Sequence, residues 1–318
     1  MVLKKRILNR IIITSATLFT LFLLTLMPKT NVLEVEKKLE YVDYTLESNV
    51  IYLIDQYDYV SRTTVALEHN EKIDQKAKEL LELLIISGKE ESKIPSGFKP
   101  VIPSDTKILS VEYVEGTIKV NFSIEFLNIE EFNESKVIES IVYTLTSIEN
   151  VKNVIIYVNG DVLTKLPSGK ILPTSLDRSY GINKEYDITT YKNIDKITIY
   201  YLSKYNDNIY YVPVTKYIDG GSDKIDVIVQ ELSKGSLYHN NLISYLNNNT
   251  KILNKRNDNS SIYLTFNENI FDNIDTYNIL EEVINTISLS IGDNYDVDEV
   301  IFNYNGKEIY KSVIKTIE

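Results

Sequence analysis

The sequence predicts an α+β protein: two tandem small two-layer α/β sandwich domains, each running β-α-β-β-α-β, behind one N-terminal transmembrane helix. Three observations predict it. An uncharged, almost wholly apolar run occupies Ile11–Met27. Five blocks of sequence recur in one order in the two halves of the remaining chain. Within each half the apolar spacing switches between the two-residue period of strands and the 3.6-residue period of helices.

The bulk composition is that of a globular chain. Of 318 residues, 43% are hydrophobic and 25% charged, outside the range of disordered sequences. The formal net charge is -11. The first thirty residues hold five basic side chains (Lys4, Lys5, Arg6, Arg10, Lys29) and no acid, so the rest carries 45 acids against 29 bases (34 less 5), a balance of -16. Such a body repels nucleic acid and anionic lipid, which points to protein or neutral-polymer partners. There is no cysteine, which excludes disulfides, thiolate metal sites, a cysteine nucleophile and a lipid-modified N-terminal cysteine.

A helix over Ile11–Met27 would reach about 26 Å, near the short end for a bilayer span. Lys4, Lys5, Arg6 and Arg10 precede it, so the positive-inside rule places the N-terminus in the cytoplasm and everything after Met27 outside. The residues that follow, Pro28 to Leu33, lack the small-residue pattern of a cleavage site. The expectation is an uncleaved signal anchor; cleavage and release is the alternative.

Beyond the anchor the chain repeats itself. Thr106-Lys107-Ile108-Leu109 recurs as Thr250-Lys251-Ile252-Leu253, and Ile118–Phe122 matches Ile262–Phe266, both at an offset of 144 residues. Val137–Thr144 aligns with Ile279–Thr286, Val151–Ile155 with Val297–Ile301, and Asn159-Gly160 with Asn305-Gly306. The period is too long for a solenoid and indicates domain duplication.

The elements follow from local pattern. Copy one opens with the β-type run Val50–Ile54 and copy two with Ile197–Leu202. A second extended stretch follows each, Val60–Leu67 and Tyr210–Tyr217. A helix is expected from about Asp74 to Ser87, stopped by Gly88. Its counterpart is capped by Ser222 or Asp223, carries the stripe Ile225, Ile228, Val229, Leu232, and ends at Gly235. Two strands then form a hairpin, Lys107–Val114 and Thr117–Ser123 through Glu115-Gly116. In copy two they are Lys251–Asn254 and Ser261–Phe266, joined by a longer polar loop around Asn257–Asn259. The second helix presents Val137, Ile138, Ile141, Val142 and Leu145, aligned with Ile279, Leu280, Val283, Ile284 and Ile287. Final strands Val154–Val158 and Val300–Tyr304 each end at Asn-Gly, followed by a short extended return. The organisation is thus 1–30 basic tail and signal anchor, 31–47 juxtamembrane linker, 48–165 first domain, 166–194 connector and 195–318 second domain.

These residues resemble the GerMN domain family. The resemblance rests on the opening Val50–Leu53 strand, on Ile102–Val111, Gly116–Phe122 and Glu125-Phe126, and on Ile141–Thr146 and Val154–Gly160. In the connector it rests on Leu172–Arg178 and Gly181–Asn183, and in copy two on Tyr200–Leu202 and Tyr210–Thr215. It implies a fold like the ring-building motifs of secretion-system rings. It also implies an extracytoplasmic, non-enzymatic role in sporulating and related bacteria, in channel assembly, cortex formation or germination. Family members are typically lipoproteins, so here the apolar segment must do the anchoring. Copy two departs from the pattern at Asn247–Asn249 and Asn257–Ser260, which puts an assembly surface there in question.

No catalytic constellation emerges, and no catalytic, cofactor-binding or metal-binding residue is assigned. His69 and His239, the two histidines, sit at different places in the repeat with no ligand spacing. There is no nucleophile elbow, P-loop or dinucleotide fingerprint. Glu139 and Glu281 align, and each is read as an early-helix acid complementing the dipole. Thr144 and Thr286 align and are read as threonines bonded to the preceding helical turn. Asp293, Asn294, Asp296 and Asp298 lack the order of a calcium loop and are read as a solvated loop. Tyr200, Tyr201, Tyr210 and Tyr211 suit strand packing, with a contact surface as the alternative. The expected function is a membrane-anchored, extracytoplasmic scaffold of the bacterial cell envelope, with envelope proteins or further copies of itself as partners. A peptidoglycan or wall-polymer binding module is the alternative, and an enzyme is disfavoured. No cofactor and no nucleic-acid partner is expected.

Overall fold

A computed structural model describes residues 2–25, 46–188, 193–235 and 241–314. The chain divides into two units, Met1–Asp43 and Tyr44–Glu318. The first holds helix α1 (Val2–Thr25), whose apolar side chains from Ile7 to Leu24 are exposed. Its threonines return their hydroxyls to carbonyls one turn back, as Thr14 does to Arg10 and Thr17 to Ile13, so the helix carries no unmet polar demand there. Leu26 and Met27, the end of the expected span, lie outside the described residues, as does most of the 31–47 linker. Among the described residues no helix is long and apolar enough to cross a membrane.

The second unit contains both copies. Copy one comprises β1 (Leu46–Asp55), β2 (Val60–Glu68), α2 (Ile73–Leu83), β3 (Phe98–Lys99), β4 (Ile108–Val114), β5 (Thr117–Phe122), α3 (Glu134–Leu145), β6 (Asn153–Val158) and β7 (Asp161–Val162). The connector adds β8 (Glu185–Asp187). Copy two comprises β9 (Ile194–Tyr205), β10 (Asn208–Asp219), α4 (Lys224–Ser233), β11 (Ile252–Asp258), β12 (Ser261–Phe266), α5 (Glu281–Asn294), β13 (Glu299–Tyr304) and β14 (Lys307–Val313).

The strands do not form one sheet per copy, which corrects the two-layer expectation. The opening hairpins β1–β2 and β9–β10 leave their own copies and join in a six-stranded sheet with β3 and β8. The remaining strands form one four-stranded sheet in each copy, β4-β5-β6-β7 and β11-β12-β13-β14. In each of these the central strands run parallel, β5 with β6 and β12 with β13, because a helix crosses over between them. Helix α3 packs on both β1 and β6, and every residue from Val137 to Leu145 is buried. A helix covered all round needs an apolar surface wider than one stripe. Ile138, Ile141, Val142 and Tyr143 supply it. The copy is therefore layered hairpin, helix, sheet.

The local turn predictions fare better. Glu115 and Gly116 adopt φ of 44 and 80, and Val114 pairs with Thr117 across them. Asn159-Gly160 and Asn305-Gly306 also take positive φ, at 51 and 90 and at 48 and 75, the geometry that lets a two-residue turn follow the strand twist. Asp223 caps α4 by accepting from the Ile225 and Asp226 amides, and Gly235 follows the helix at φ 65. Three details differ. Helix α2 stops at Leu83, and Ser87 rather than Gly88 takes the positive φ, at 56. Strand β11 extends to Asp258, so its link to β12 is the two residues Asn259-Ser260 and no longer than in copy one. Helix α5 begins at Glu281, so Ile279 and Leu280 precede it.

Each copy has its own core. Copy one centres on Ile51, Leu53, Leu81, Val120, Phe122, Ile141 and Val154. Copy two centres on Ile199, Val212, Ile228, Leu264, Ile287 and Phe302. Phe98 packs against both, its ring edge-on to Tyr210 at 4.9 Å.

Candidate functional site: the seam between the copies

Several buried polar groups, among them Glu139, Tyr200, Tyr210 and Asp293, gather at the seam between the two copies. The hairpins meet antiparallel at one residue pair, Tyr211 of β10 with Arg62 of β2. Pro213 has no amide to donate, and beyond that pair the connector takes over. Asn183, at φ 44, accepts from the Val60 amide at 2.9 Å and donates to the carbonyls of Val60 at 2.8 Å and Pro213 at 2.7 Å. Its side-chain amide thus stands in for a strand peptide. Its own backbone amide donates to Glu139 at 2.9 Å.

A second cluster lies where the connector meets α3, α5 and the two hairpins. Arg178 donates from Nε to Thr146 at 3.1 Å, from Nη2 to Ser147 at 2.8 Å and from Nη1 to Tyr200 at 3.3 Å, and its Nη1 also pairs with Asp293 of α5. The Tyr200 hydroxyl donates to the other Asp293 oxygen at 2.9 Å and shares a 2.9 Å bond with Tyr52. The guanidinium lies 4.9 Å from the centre of the Tyr143 ring, a cation–π distance. Burial pushes the Arg178 guanidinium down, but Asp293 and the surrounding tyrosines outweigh it and hold it well above its ordinary value. Burial, then the Asp293 charge, push the Tyr200 hydroxyl up, so it stays a neutral donor. On the other side of the seam Asp55 accepts from Tyr57, Tyr59, Ser61 and, across the copies, from Tyr210 at 3.0 Å.

Each nitrogen of Arg178 and the side-chain amide of Asn183 has an acceptor, and both copies contribute to the cluster. The arrangement fixes one copy against the other. It has the chemistry of a structural lock: a paired cation, neutral tyrosines and fully bonded carboxylates.

The pairs inferred from repeat alignment are not equivalent. Thr144 accepts from the Tyr52 amide of β1 at 3.0 Å, whereas in copy two the matching Tyr200 amide of β9 donates to Ser290 at 2.9 Å. Thr286 only bonds back to Glu282 and Val283, at 2.9 and 3.1 Å. The helices therefore correspond one turn further on, with Val137 facing Val283 and Glu139 facing Asn285. Glu139 lies inside α3, buried at 3% exposure and paired with Lys184 at 2.6 Å. Burial, with Lys170 and Lys196 nearby, pulls the Lys184 amine down while Glu139 opposes them. Glu281 is the exposed first residue of α5, as a dipole-complementing acid should be. The two acids are never near one another's role.

The other candidates disperse. His69 is exposed, 3.2 Å from Glu47; His239 lies outside the described residues. The expected solvated loop is partly seam: Asp293 belongs to the Arg178 cluster, and Asn294 exchanges bonds with both backbone groups of Thr198, at 2.7 and 3.2 Å. Asp296 is exposed. Among the described residues no three His, Cys, Asp or Glu side chains stand where they could hold a metal. Tyr200, Tyr201 and Tyr210 are buried at 1%, 5% and 5%, and Tyr211 is bonded to Asn285 at 2.8 Å. Arg178 and Asn183 carry the seam, and sequence reading placed them in the connector pattern without a role. The signal was there in kind: a lone Arg and an Asn among turn residues in an ordered connector.

The fold and the seam define a class: a duplicated α+β module whose two copies share a six-stranded sheet. Comparison with known proteins agrees. The Germane family, described as sporulation and spore germination, matches residues 50–164 and 198–310. The spore germination protein GerM of Bacillus subtilis (strain 168) is 34% identical over 266 residues, covering 81% of this chain and 71% of that protein. The solved tandem GerMN domains of the sporulation protein GerM from Bacillus subtilis align at a TM-score of 0.75 and 32% identity, over 83% of this chain and 92% of that one. The chain belongs to the Germane (GerMN) family.

Proposed function

We propose that this protein is a membrane-tethered, non-catalytic scaffold of the bacterial cell envelope that works in spore formation or germination. The observation that carries the proposal is the likeness along both copies to the tandem domains of a sporulation protein. A seam that spends its buried polar groups on rigidity suits a spacer that presents surfaces to other envelope proteins or to further copies of itself. The tether is the run Ile11–Met27 behind Lys4, Lys5, Arg6 and Arg10, with the tandem domains outside.

In-cell crosslinking of the full-length tagged protein, followed by capture from membranes, tests this. Recovery from the membrane fraction with envelope proteins, or as a ladder of itself, is the expected result. A soluble, uncrosslinked monomer would overturn it. Wall fragments alone in the capture would favour the polymer-binding reading. That reading has lost Tyr200, Tyr201 and Tyr210 as sugar-stacking platforms, since they are buried.

A further inference from the structure

The two Asn-Gly turns occupy the same place in the repeat, yet copy one holds its turn with two bonds that copy two lacks among the described residues, the first from the Asn159 amide to the Phe122 carbonyl at 2.8 Å. Asn159 and Asn305 are exposed at the tips of the β6–β7 and β13–β14 hairpins. In both turns nothing lies within 4 Å of where a side chain on the glycine would sit. In copy one the Gly160 amide donates to the side chain of Asn121 at 3.0 Å. Asn121 pairs with Tyr157 on the parallel ladder. The corresponding ladder position in copy two, opposite Asn303, is Thr265, whose side chain ends one bond nearer the backbone. Among the described residues the Gly306 amide has no such side-chain partner.

We infer that Asn305 is a site of spontaneous deamidation in the folded protein, and that Asn121 protects its counterpart Asn159 from the same reaction. The glycine nitrogen attacks the asparagine Cγ, forming an N–Cγ bond and closing a five-membered succinimide. The Cγ–Nδ2 bond breaks, and Nδ2 leaves as ammonia with the proton given up by the glycine amide. Water then opens the ring at either carbonyl, giving aspartate or isoaspartate. No oxidant or reductant takes part. The glycine nitrogen must swing out of its turn to reach Cγ. In copy one that movement first breaks the bond to Asn121, a loss that slows the step by about fivefold for an ordinary hydrogen bond. Both asparagines start from nearly the same positive φ, and the bond from the Asn159 amide to Phe122 further holds the copy-one turn closed.

The consequence falls on copy two. Isoaspartate lengthens the backbone of a two-residue turn, and the next ladder pair is Tyr304 with Lys307. Beyond β14, an edge strand of its sheet, the Ile314 side chain lies against Gly292 of α5. Conversion at Asn305 therefore loosens the edge that closes this copy.

The test is peptide mapping by mass spectrometry after the full-length protein is warmed in mildly alkaline buffer. Both the amide-to-acid mass change and isoaspartate content are followed at each site. Conversion at Asn305 at least about fivefold faster than at Asn159 is expected. Asn121→Ala should raise the Asn159 rate toward that of Asn305, the Phe122 bond holding back the remainder, and Thr265→Asn should slow Asn305. In denaturant the two rates should converge, since glycine follows asparagine in both. Equal folded-state rates, faster conversion at Asn159, or an Asn159 rate indifferent to Asn121→Ala in a variant that still folds would overturn the inference. If Asn121→Ala does not fold, Thr265→Asn decides instead, and an Asn305 rate that it leaves unchanged overturns the inference.

Discussion

The two copies keep the same backbone bonds around the entry to β4 and β11 with different side chains, and differ most where they face each other. The turn entering β4 is closed by the Thr106 amide on Pro103 at 3.1 Å, and that entering β11 by the Thr250 amide on Asn247 at 2.9 Å. Lys107 donates its amide to the Ser123 hydroxyl and Lys251 to the Asn267 side chain, each at 2.9 Å. Both edge strands bulge one residue in, exposing Leu109 and Leu253. The stretch Asn247–Asn249, which departs from the pattern in copy two, thus preserves the turn of copy one, because the bond is to a backbone carbonyl whatever side chain it carries, and Asn247 adds a side-chain bond from the Asn249 amide at 2.9 Å. At the seam only the matched pair Tyr52 and Tyr200, bonded to each other, is duplicated. Arg178 and Asn183 belong to the connector alone, Asp293 to α5 alone, and Glu139 of α3 gives way to Asn285. A repeat can drift wherever some other side chain can meet the same backbone group. It cannot drift where one copy is half of a pair.

The strongest way to break that comparison is Arg178→Ala. It leaves Asp293 buried at 8% exposure with its cation gone. Loss of a partner from a fully buried pair costs about 3–5 kcal/mol. The Arg178 side chain is 26% exposed, so about 2–4 kcal/mol is expected here. Urea unfolding of wild type and variant measures it. A cost no larger than that of an exposed ion pair, or two separated transitions already in the wild type, would mean that the copies do not fold as one body.

A smaller effect sharpens the correspondence of the helices. Thr144→Val and Ser290→Ala each strand a buried strand amide, of Tyr52 and Tyr200 respectively, at about 1–3 kcal/mol. Thr286→Val removes only a back-bond within its own helix and should cost less than either. If Thr286→Val proved as damaging as Thr144→Val, the alignment of Thr144 with Thr286 would be right and the one-turn shift wrong.

That shift shows where sequence reading reaches its end. The Glu115-Gly116 and Asn-Gly turns, the Asp223 cap and the Gly235 stop were legible because each is decided by neighbours a few residues away. Helical phase within a stripe was not. Apolar residues recur every three or four positions, so Val283 and Ile284 serve equally as partners of Ile141-Val142 or of Val137-Ile138. Only the strand amide that Ser290 receives distinguishes the two. The six-stranded sheet was hidden for a related reason: β2 and β10 meet at one residue pair, and no local pattern announces a partner more than a hundred residues away. Arg178 was visible as a residue and invisible as a lock, since its carboxylate lies in the other copy.

Tyr52→Phe is a finer probe of the same cluster. It removes only the bond to Tyr200, because Asp293 and Arg178 keep theirs, so about 1 kcal/mol is expected. Tyr200→Phe takes a donor from Asp293 as well and should cost more. Equal costs in the two variants would show that Asp293 draws nothing from Tyr200.

The smallest expected effect distinguishes the copies by acid. In copy two, burial pushes the Glu231 carboxyl up, but hydrogen bonds from Lys216 at 2.7 Å and from Lys234 more than offset it and hold the group below its ordinary value. In copy one, a hydrogen bond from Lys76 lowers the more exposed Glu47 against a weaker push upward from burial, with His69 helping. A carboxyl depressed in the folded state binds fewer protons than in the unfolded chain. Its contribution is therefore complete above the unfolded carboxylate range, around pH 4.5, and is lost as the pH falls through the folded value. Glu231→Gln should lower stability at neutral pH and flatten the acid limb of the stability curve, by about 1 kcal/mol, with Glu47→Gln doing less because solvent screens it. Urea midpoints measured from neutral to strongly acidic pH decide the matter. If Glu231→Gln leaves the acid limb as steep as wild type, the lysine pair does not hold that carboxyl ionised, and the acid sensitivity of the fold must come from elsewhere.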